Sequence, residues 1–421
     1  MAPKELHFVV GGYGIKRNYI SKAQIKRVGI QNFKSLKKVE IEFDKFNVVV
    51  GPNGAGKTNI IDAFRFLQEI TSSGVINPYV RYGGYKNIVW KHNEELQVSI
   101  SISWETTGKK GDEFQYSITV SGYNGTFDIS RESIIYKGFT LIREREKIRI
   151  VDDAEKFDLE LELGTKDRLF LHRNNSLLNI DPYNLPLSSL KTNTKIGGTI
   201  KLDDTLSKYY TLTREIKNQI NKIRAYNFYP KSMKMPYEVQ LVDDMGFEGE
   251  KLQAFLYTIL SKQNYSWKPE IIDRLKLLFP NVENLSLIPT EDGRIMLRVI
   301  ENGIELKPQS LSDGFLKVLA ILVLSSEIKE SVILIDELEN SVYPEAIEVL
   351  TDALRESENT IICTTHSPVV LNTANIEEIL LATKESTETT IARVKNPKKL
   401  RKELRERGIS IGNGWLYQIL E

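Results

Sequence analysis

Residues Gly51 to Asn59 read GPNGAGKTN, and the first eight fit G-x-x-x-x-G-K-[ST], the pattern of a loop that cradles phosphates. Glycines let the backbone curl so that successive N–H groups and the start of the following helix face the anion. Lys57 is then predicted to reach β- and γ-phosphates, and the Thr58 hydroxyl to ligate Mg²⁺. The predicted nucleotide contacts are Gly51, Pro52, Asn53, Gly54, Ala55, Gly56, Lys57, Thr58 and Asn59, against the plain alternative of a chance glycine turn. VILIDE, Val332 to Glu337, delivers two carboxylates at the end of an apolar run, where open α/β sheets bind ligands. Asp336 would hold the Mg²⁺ through water, and Glu337 would polarise an attacking water. His366 ends another apolar run, IICTT; the bland assignment is a surface or capping residue, the sharper one a group that reaches the γ-phosphate. In LSDG, Leu311 to Gly314, Ser312 reads first as a helix N-cap with Asp313 near the positive helix end. The same serine and Gly314 also suit a phosphate bound by a second copy of the chain.

The elements needed to position these groups are visible around them. IKRVGIQ, VEIEF and FNVVV read as strands running into the glycine loop, and TNIIDAFRFLQEI carries apolar residues at helical spacing. Alternating segments from Leu96, Glu113, Glu132 and Lys147 predict an antiparallel β-rich lobe. Between 176 and 284 the stretches TLSKYYTLTREIKNQINKI, EKLQAFLYTILSK and PEIIDRLKLLF predict an inserted helical domain, with no heptad run to build a rod-like arm. Beyond it, LSLIP, RIMLRVI, the nearly all-apolar helix FLKVLAILVLSSEI, SVILIDE, IICTT and EEILLAT predict an α/β lobe. The expected organisation is an N-terminal extension over 1–21, a first lobe over 22–175, the helical insert over 176–284, a second lobe over 285–385 and a basic tail over 386–421.

Composition excludes several classes. With 57 basic and 56 acidic residues in 421, bulk positive charge cannot drive binding to nucleic acid; a local patch would have to do so. Its candidate is KNPKKLRKELRER, Lys395 to Arg407, with seven basic residues, whose plainer identity is a solvated helix. One cysteine, Cys363, and four histidines leave no intrachain disulfide and little for a zinc cluster, as expected of a reduced cytoplasmic setting. The longest apolar run, Val318 to Leu324, is far shorter than the ~20 residues of a spanning helix, so neither a membrane protein nor a secreted one is expected.

GPNGAGKT, LSDG, ILIDE and TTHSP, in that order, resemble the ABC-type ATPase heads of the RecF and SMC kind, and more closely the stand-alone ATPases related to the OLD family. IKRVGIQNFKSLKKVEIEF looks like the opening strands of such heads, and DELENSVYP is similar to their DEPENGLHP phrase, with Tyr343 in the histidine place. The resemblance implies an α/β P-loop fold and a head-to-tail homodimer or higher homo-oligomer. Each ATP would lie between Lys57, Thr58, Asp336 and Glu337 of one copy and Ser312 and Gly314 of the other. It also implies hydrolysis at Glu337 with His366 sensing the γ-phosphate, ATP and Mg²⁺ as cofactors, and work on DNA or on a separate effector protein in repair or defence. Asp313 and Phe315 replace the glycine and glutamine of a transporter ATPase, and the metal-binding glutamine of that family has no assigned counterpart, Gln68 and Gln97 being the two considered. No aspartate follows Asp352, so the Toprim nuclease of OLD proteins is expected to be absent. The alternative is a scaffold clamped by slowly hydrolysed ATP, binding partner proteins through the insert.

Overall fold

A computed structural model describes residues 23–74, 76–106, 111–123, 126–145, 147–153, 157–162, 176–179, 190–192 and 199–420. The expected N-terminal extension, 1–21, lies outside them. At the centre is a six-stranded sheet in the order Ile223–Tyr226, Val332–Ile335, Thr360–Thr365, Phe46–Val50, Ile379–Glu385 and Glu388–Arg393. The first five strands pair in parallel, and the last turns back antiparallel at the edge. Phe46–Val50, Val332–Ile335 and Thr360–Thr365 are buried at every position, which is why they read as unbroken runs rather than alternations.

Successive side chains of these strands face opposite layers. Val49, Leu334, Ile362 and Leu380 join one hydrophobic core, in which Ile60, Ile61 and Phe64 of the helix Lys57–Ser73 are buried. Val48, Val50, Ile333, Ile335 and Ile361 join the other, built on the helix Asp313–Glu327, where every residue from Phe315 to Leu324 is buried. The helix after the phosphate loop and the helix after LSDG therefore flank the sheet from its two faces.

Against the first core lies an antiparallel sheet of nine strands, most of them a meander from Val98 to Glu162. Glu132 and Arg143 are both fully buried within it, with Arg143 Nη1 donating to Glu132 Oε2 at 3.2 Å. The same carboxylate accepts from Tyr116 Oη and Ser176 Oγ, both at 2.6 Å, and from the Leu177 N–H at 2.8 Å. Asn179, just beyond, donates to the Thr71 carbonyl near the end of the phosphate-loop helix.

The segment expected as a helical insert is more mixed. It holds the helices Thr199–Asn221, Leu252–Lys262 and Pro269–Leu278, but also Ile223–Tyr226, a strand of the central sheet, and Leu190–Thr192, which pairs with Phe157–Glu162. Its buried residues divide between the two cores, Tyr209 and Ile216 in one, Phe255 and Leu275 in the other. Four residues of strand directly after the long helix Thr199–Asn221 carry too short a pattern to register as a sheet element. The tail expected from 386 is likewise part of the body. Its first residues form the edge strand Glu388–Arg393, and the helix Pro397–Arg407 buries Leu400 and Leu404 in the second core. Several tail cations are engaged locally, Arg401 with Glu377 and Arg407 with Glu403. Among the described residues no helix is long and apolar enough to cross a membrane.

Candidate nucleotide site

The parallel register assembles the site. Thr365 is aligned with Val50 and Cys363 with Ile335, so the phosphate loop, Asp336 with Glu337, and His366 all leave the C-terminal edge of three adjacent strands. The loop then passes into its helix through Gly56, whose φ of 95° belongs to the left-handed region. A Cβ there would stand 2.3 Å from Thr389 Oγ1 and 2.6 Å from Ser35 Oγ. Those two hydroxyls brace the loop from outside: they bond each other at 2.7 Å, Thr389 Oγ1 also donates to the Ala55 carbonyl, and Asn59 Nδ2 donates to Ser35 Oγ. Asn59, predicted to contact nucleotide, thus has its amide committed to bracing. Pro52, Asn53, Gly54 and Thr58 are exposed, whereas Gly51, Ala55 and Lys57 are buried.

Lys57 donates to the carbonyls of Gly51 at 2.7 Å and Pro52 at 3.1 Å, curling back over the loop that carries it. Burial lowers its pKa, against the opposing pull of Asp336, Glu337 and Glu339. Asp336 is shifted in the complementary sense, raised chiefly by burial while hydrogen bonds from Thr364 and Thr58 act to lower it. Both shifts run toward the neutral forms, and an anion beside Lys57 and a cation beside Asp336 would each act against them. Thr58 Oγ1 and Asp336 Oδ1 lie 3.4 Å apart, close to the ~3 Å separating neighbouring ligands of an octahedral Mg²⁺ with bonds of about 2.1 Å. The residues therefore fit a phosphate chain and its magnesium ion.

Four residues that sequence patterns did not single out hold Asp336, Glu337 and His366. Tyr226 accepts from the Asp336 N–H at 2.8 Å, extending the pairing of the two strands. Thr364 Oγ1 donates to Asp336 Oδ1 and accepts the Glu337 N–H at 2.9 Å. Asn340 donates to Glu337 Oε2, and Glu337 itself has φ 49°, an uncommon conformation for a side chain of its size. Glu339 Oε1 accepts the His366 N–H at 2.8 Å and lies 3.1 Å from His366 Nδ1, which fixes the imidazole at the site's rim.

The remaining predicted groups lie apart. Ser312 is exposed and caps its helix, accepting the Phe315 N–H at 3.1 Å, as its sequence position predicts. Asp313 pairs with Lys234 at 2.7 Å. Among the described residues no hydrogen bond joins Ser312 or Gly314 to the phosphate loop of the same chain. Gln68 donates to the Ile223 carbonyl and the Gln97 carbonyl accepts from Asn32, so both glutamines considered for metal binding are engaged elsewhere by side chain or backbone.

A family model described as "AAA domain, putative AbiEii toxin, Type IV TA system" matches residues 46–372, which hold the phosphate loop, Ser312, Asp336, Glu337 and His366. The chain belongs to that family. Relatives of this AbiEii-type AAA protein include the chromosome partition protein Smc of Methanocaldococcus jannaschii, 22% identical over 277 residues, 62% of this chain and 21% of that one. The DNA replication and repair protein RecF of Lactobacillus gasseri is 24% identical over 243 residues, 54% of this chain and 58% of that one. The AbiEii-type chain thus spans about a fifth of the Smc protein and well under two thirds of that RecF. A crystal structure of an Smc head bound to the C-winged helix domain of ScpA superposes with a TM-score of 0.53 at 16% identity, covering 90% of this chain and 99% of that one. The fold is accordingly that of an ABC-type ATPase head of the RecF/SMC kind.

Proposed function

We propose that this protein binds ATP with Mg²⁺ and hydrolyses it at a site completed by a second copy of the chain arranged head to tail. The observation that carries the reading is the convergence of Lys57, Thr58, Asp336 and Glu337 on one sheet edge while Ser312 and Gly314 make no bond to it. Lys57 would leave its loop carbonyls for the β- and γ-phosphate oxygens, and Thr58 and Asp336 would hold the metal ion. Bound Mg²⁺ would neutralise charge developing on the phosphoryl oxygens. Glu337 would take a proton from water as the water oxygen bonds to the γ-phosphorus and the bond to the β-phosphate oxygen breaks, releasing ADP and phosphate. His366, steadied by Glu339, would donate to the γ-phosphate. Ser312 of one copy, with its helix N-terminus, would meet the γ-phosphate held by the other.

The process served is proposed as DNA maintenance or defence, through DNA or a separate effector protein in the cytoplasm. The chromosome-partition and DNA replication-and-repair names of the Smc and RecF relatives and the toxin–antitoxin description of the family support that range. A slow clamp is favoured by one observation, the hydrogen bond from Asn340 to Glu337 Oε2, which occupies one of the two carboxylate oxygens that could take the proton.

A mixing experiment tests the composite site. Lys57→Ala and Ser312→Arg are each expected to abolish turnover alone, since either damages both sites of a homodimer. Mixed in equal amounts they form heterodimers with one intact site, and up to about a quarter of wild-type activity returns. A mixture as inactive as its components, with both variants folded and dimeric, rules out sharing.

A further inference from the structure

We infer that Lys317 is a positioning residue for Glu337, holding its backbone so that the carboxylate points where the attacking water must sit. The inference rests on Glu337 acting as the general base. Lys317 belongs to the second turn of the helix Asp313–Glu327 and is 1% exposed. A lysine so deeply buried ordinarily has a carboxylate against its ammonium, yet Lys317 forms no ion pair among the described residues. Its Nζ donates instead to the main-chain carbonyl of Glu337, at 2.7 Å.

The carbonyl it engages belongs to a residue whose backbone needs support. Glu337 lies in the left-handed region, which a non-glycine residue keeps only when its surroundings hold it there. Thr364 Oγ1 accepts its N–H from one side, and Lys317 donates to its carbonyl from the other. Both peptide groups flanking the Glu337 Cα are thereby held, one by a strand of the sheet and one by the helix that begins at Ser312. Gly314, three residues before Lys317, lies on the same face of that helix and also meets this turn: a Cβ at Gly314 would stand 2.6 Å from the Ser341 carbonyl. The helix thus contacts the turn from Glu337 to Ser341 at both ends, by a hydrogen bond and by a close backbone approach.

A residue that served only to fill the core would be replaced by methionine with little effect on chemistry. Lys317→Met keeps the length of the stem and removes the donor. We expect kcat for ATP to fall about 10- to 100-fold, as for a catalytic group displaced by around an ångström. The dissociation constant for a fluorescent ATP analogue and the thermal midpoint should stay near wild type. In a Glu337→Gln background the same substitution should lower the residual rate little further, because its effect passes through the carboxylate.

Unchanged kcat in Lys317→Met overturns the inference. So does a fall in nucleotide binding and folded fraction that parallels the fall in kcat, or an undiminished effect in the Glu337→Gln background. Should the methionine variant fail to fold, Lys317→Gln, too short to reach the Glu337 carbonyl, takes its place with the same expectations. Full turnover in Glu337→Gln alone would remove the general-base reading itself. Lost turnover there with normal turnover in Lys317→Met would remove only the role of the lysine.

Discussion

Glu337→Gln is expected to lower ATP turnover by about 10² to 10⁴, the range typical of a lost general base. The substitution is nearly isosteric, and the amide oxygen of glutamine can still accept from Asn340. The N–H bond to Thr364 and the carbonyl bond from Lys317 involve only the main chain and survive. Nucleotide binding should therefore persist while the chemical step fails, so ATP remains where two copies would share it. Phosphate release measures the first effect, and sedimentation with and without ATP measures the second as an accumulated dimer. Turnover at the wild-type rate would show that another group activates the water.

Glu132→Ala should destabilise the protein by about 3–5 kcal/mol, the cost of breaking a buried ion pair from one side. One carboxylate there serves Arg143, Tyr116, Ser176 and the Leu177 N–H, and the alanine variant withdraws it from all four. Arg143 remains buried without that carboxylate, while Tyr116 keeps its 3.4 Å contact with Ser176, which also accepts the Leu178 N–H at 3.1 Å. Urea unfolding would register the loss as a lower midpoint with a similar slope. Replacing both Glu132 and Arg143 by apolar residues of matching volume should recover much of it, because the desolvation of two charges disappears with the pair. A midpoint unmoved by Glu132→Ala would mean that the cluster contributes little to the native state.

What could be read from the sequence was what is local. The phosphate loop needs a strand, a glycine turn and a helix within a few residues, and all three are contiguous from Phe46 to Ser73. Ser312 caps its helix through a bond spanning three positions, and the burial of Phe315, Leu316 and Val318 to Leu324 follows from their apolar composition. The largely apolar runs before Gly51, Asp336 and His366 likewise pointed to buried strands of an α/β fold. None of these readings required knowledge of distant pairings.

The supports of the site escaped because their partners lie far along the chain. Ile223–Tyr226 becomes a strand by pairing with Val332–Ile335, and nothing in its four residues anticipates that neighbour. Glu339 looks like one more charge in DELEN until His366 comes to lie beside it, and Thr364 like any strand threonine until Asp336 and Glu337 flank it. Lys317 sits in the same helical face as apolar residues, where a sequence pattern marks it only as an interruption. Asn59 adjoins the phosphate-loop motif, so adjacency suggested ligand contact; the amide turns to Ser35, which the fold brings to the other side of the loop.

The bracing of the phosphate loop by Thr389 has a consequence for how the protein comes into being. Ala55 is made first, and the hydroxyl that fixes its carbonyl is added 334 residues later. A nascent chain halted between Thr58 and Thr389 carries the motif but lacks this support, which arrives with the edge strand Glu388–Arg393. Such distant closure slows folding. The outer brace of the loop is therefore complete only once Thr389 has been made and its strand has paired.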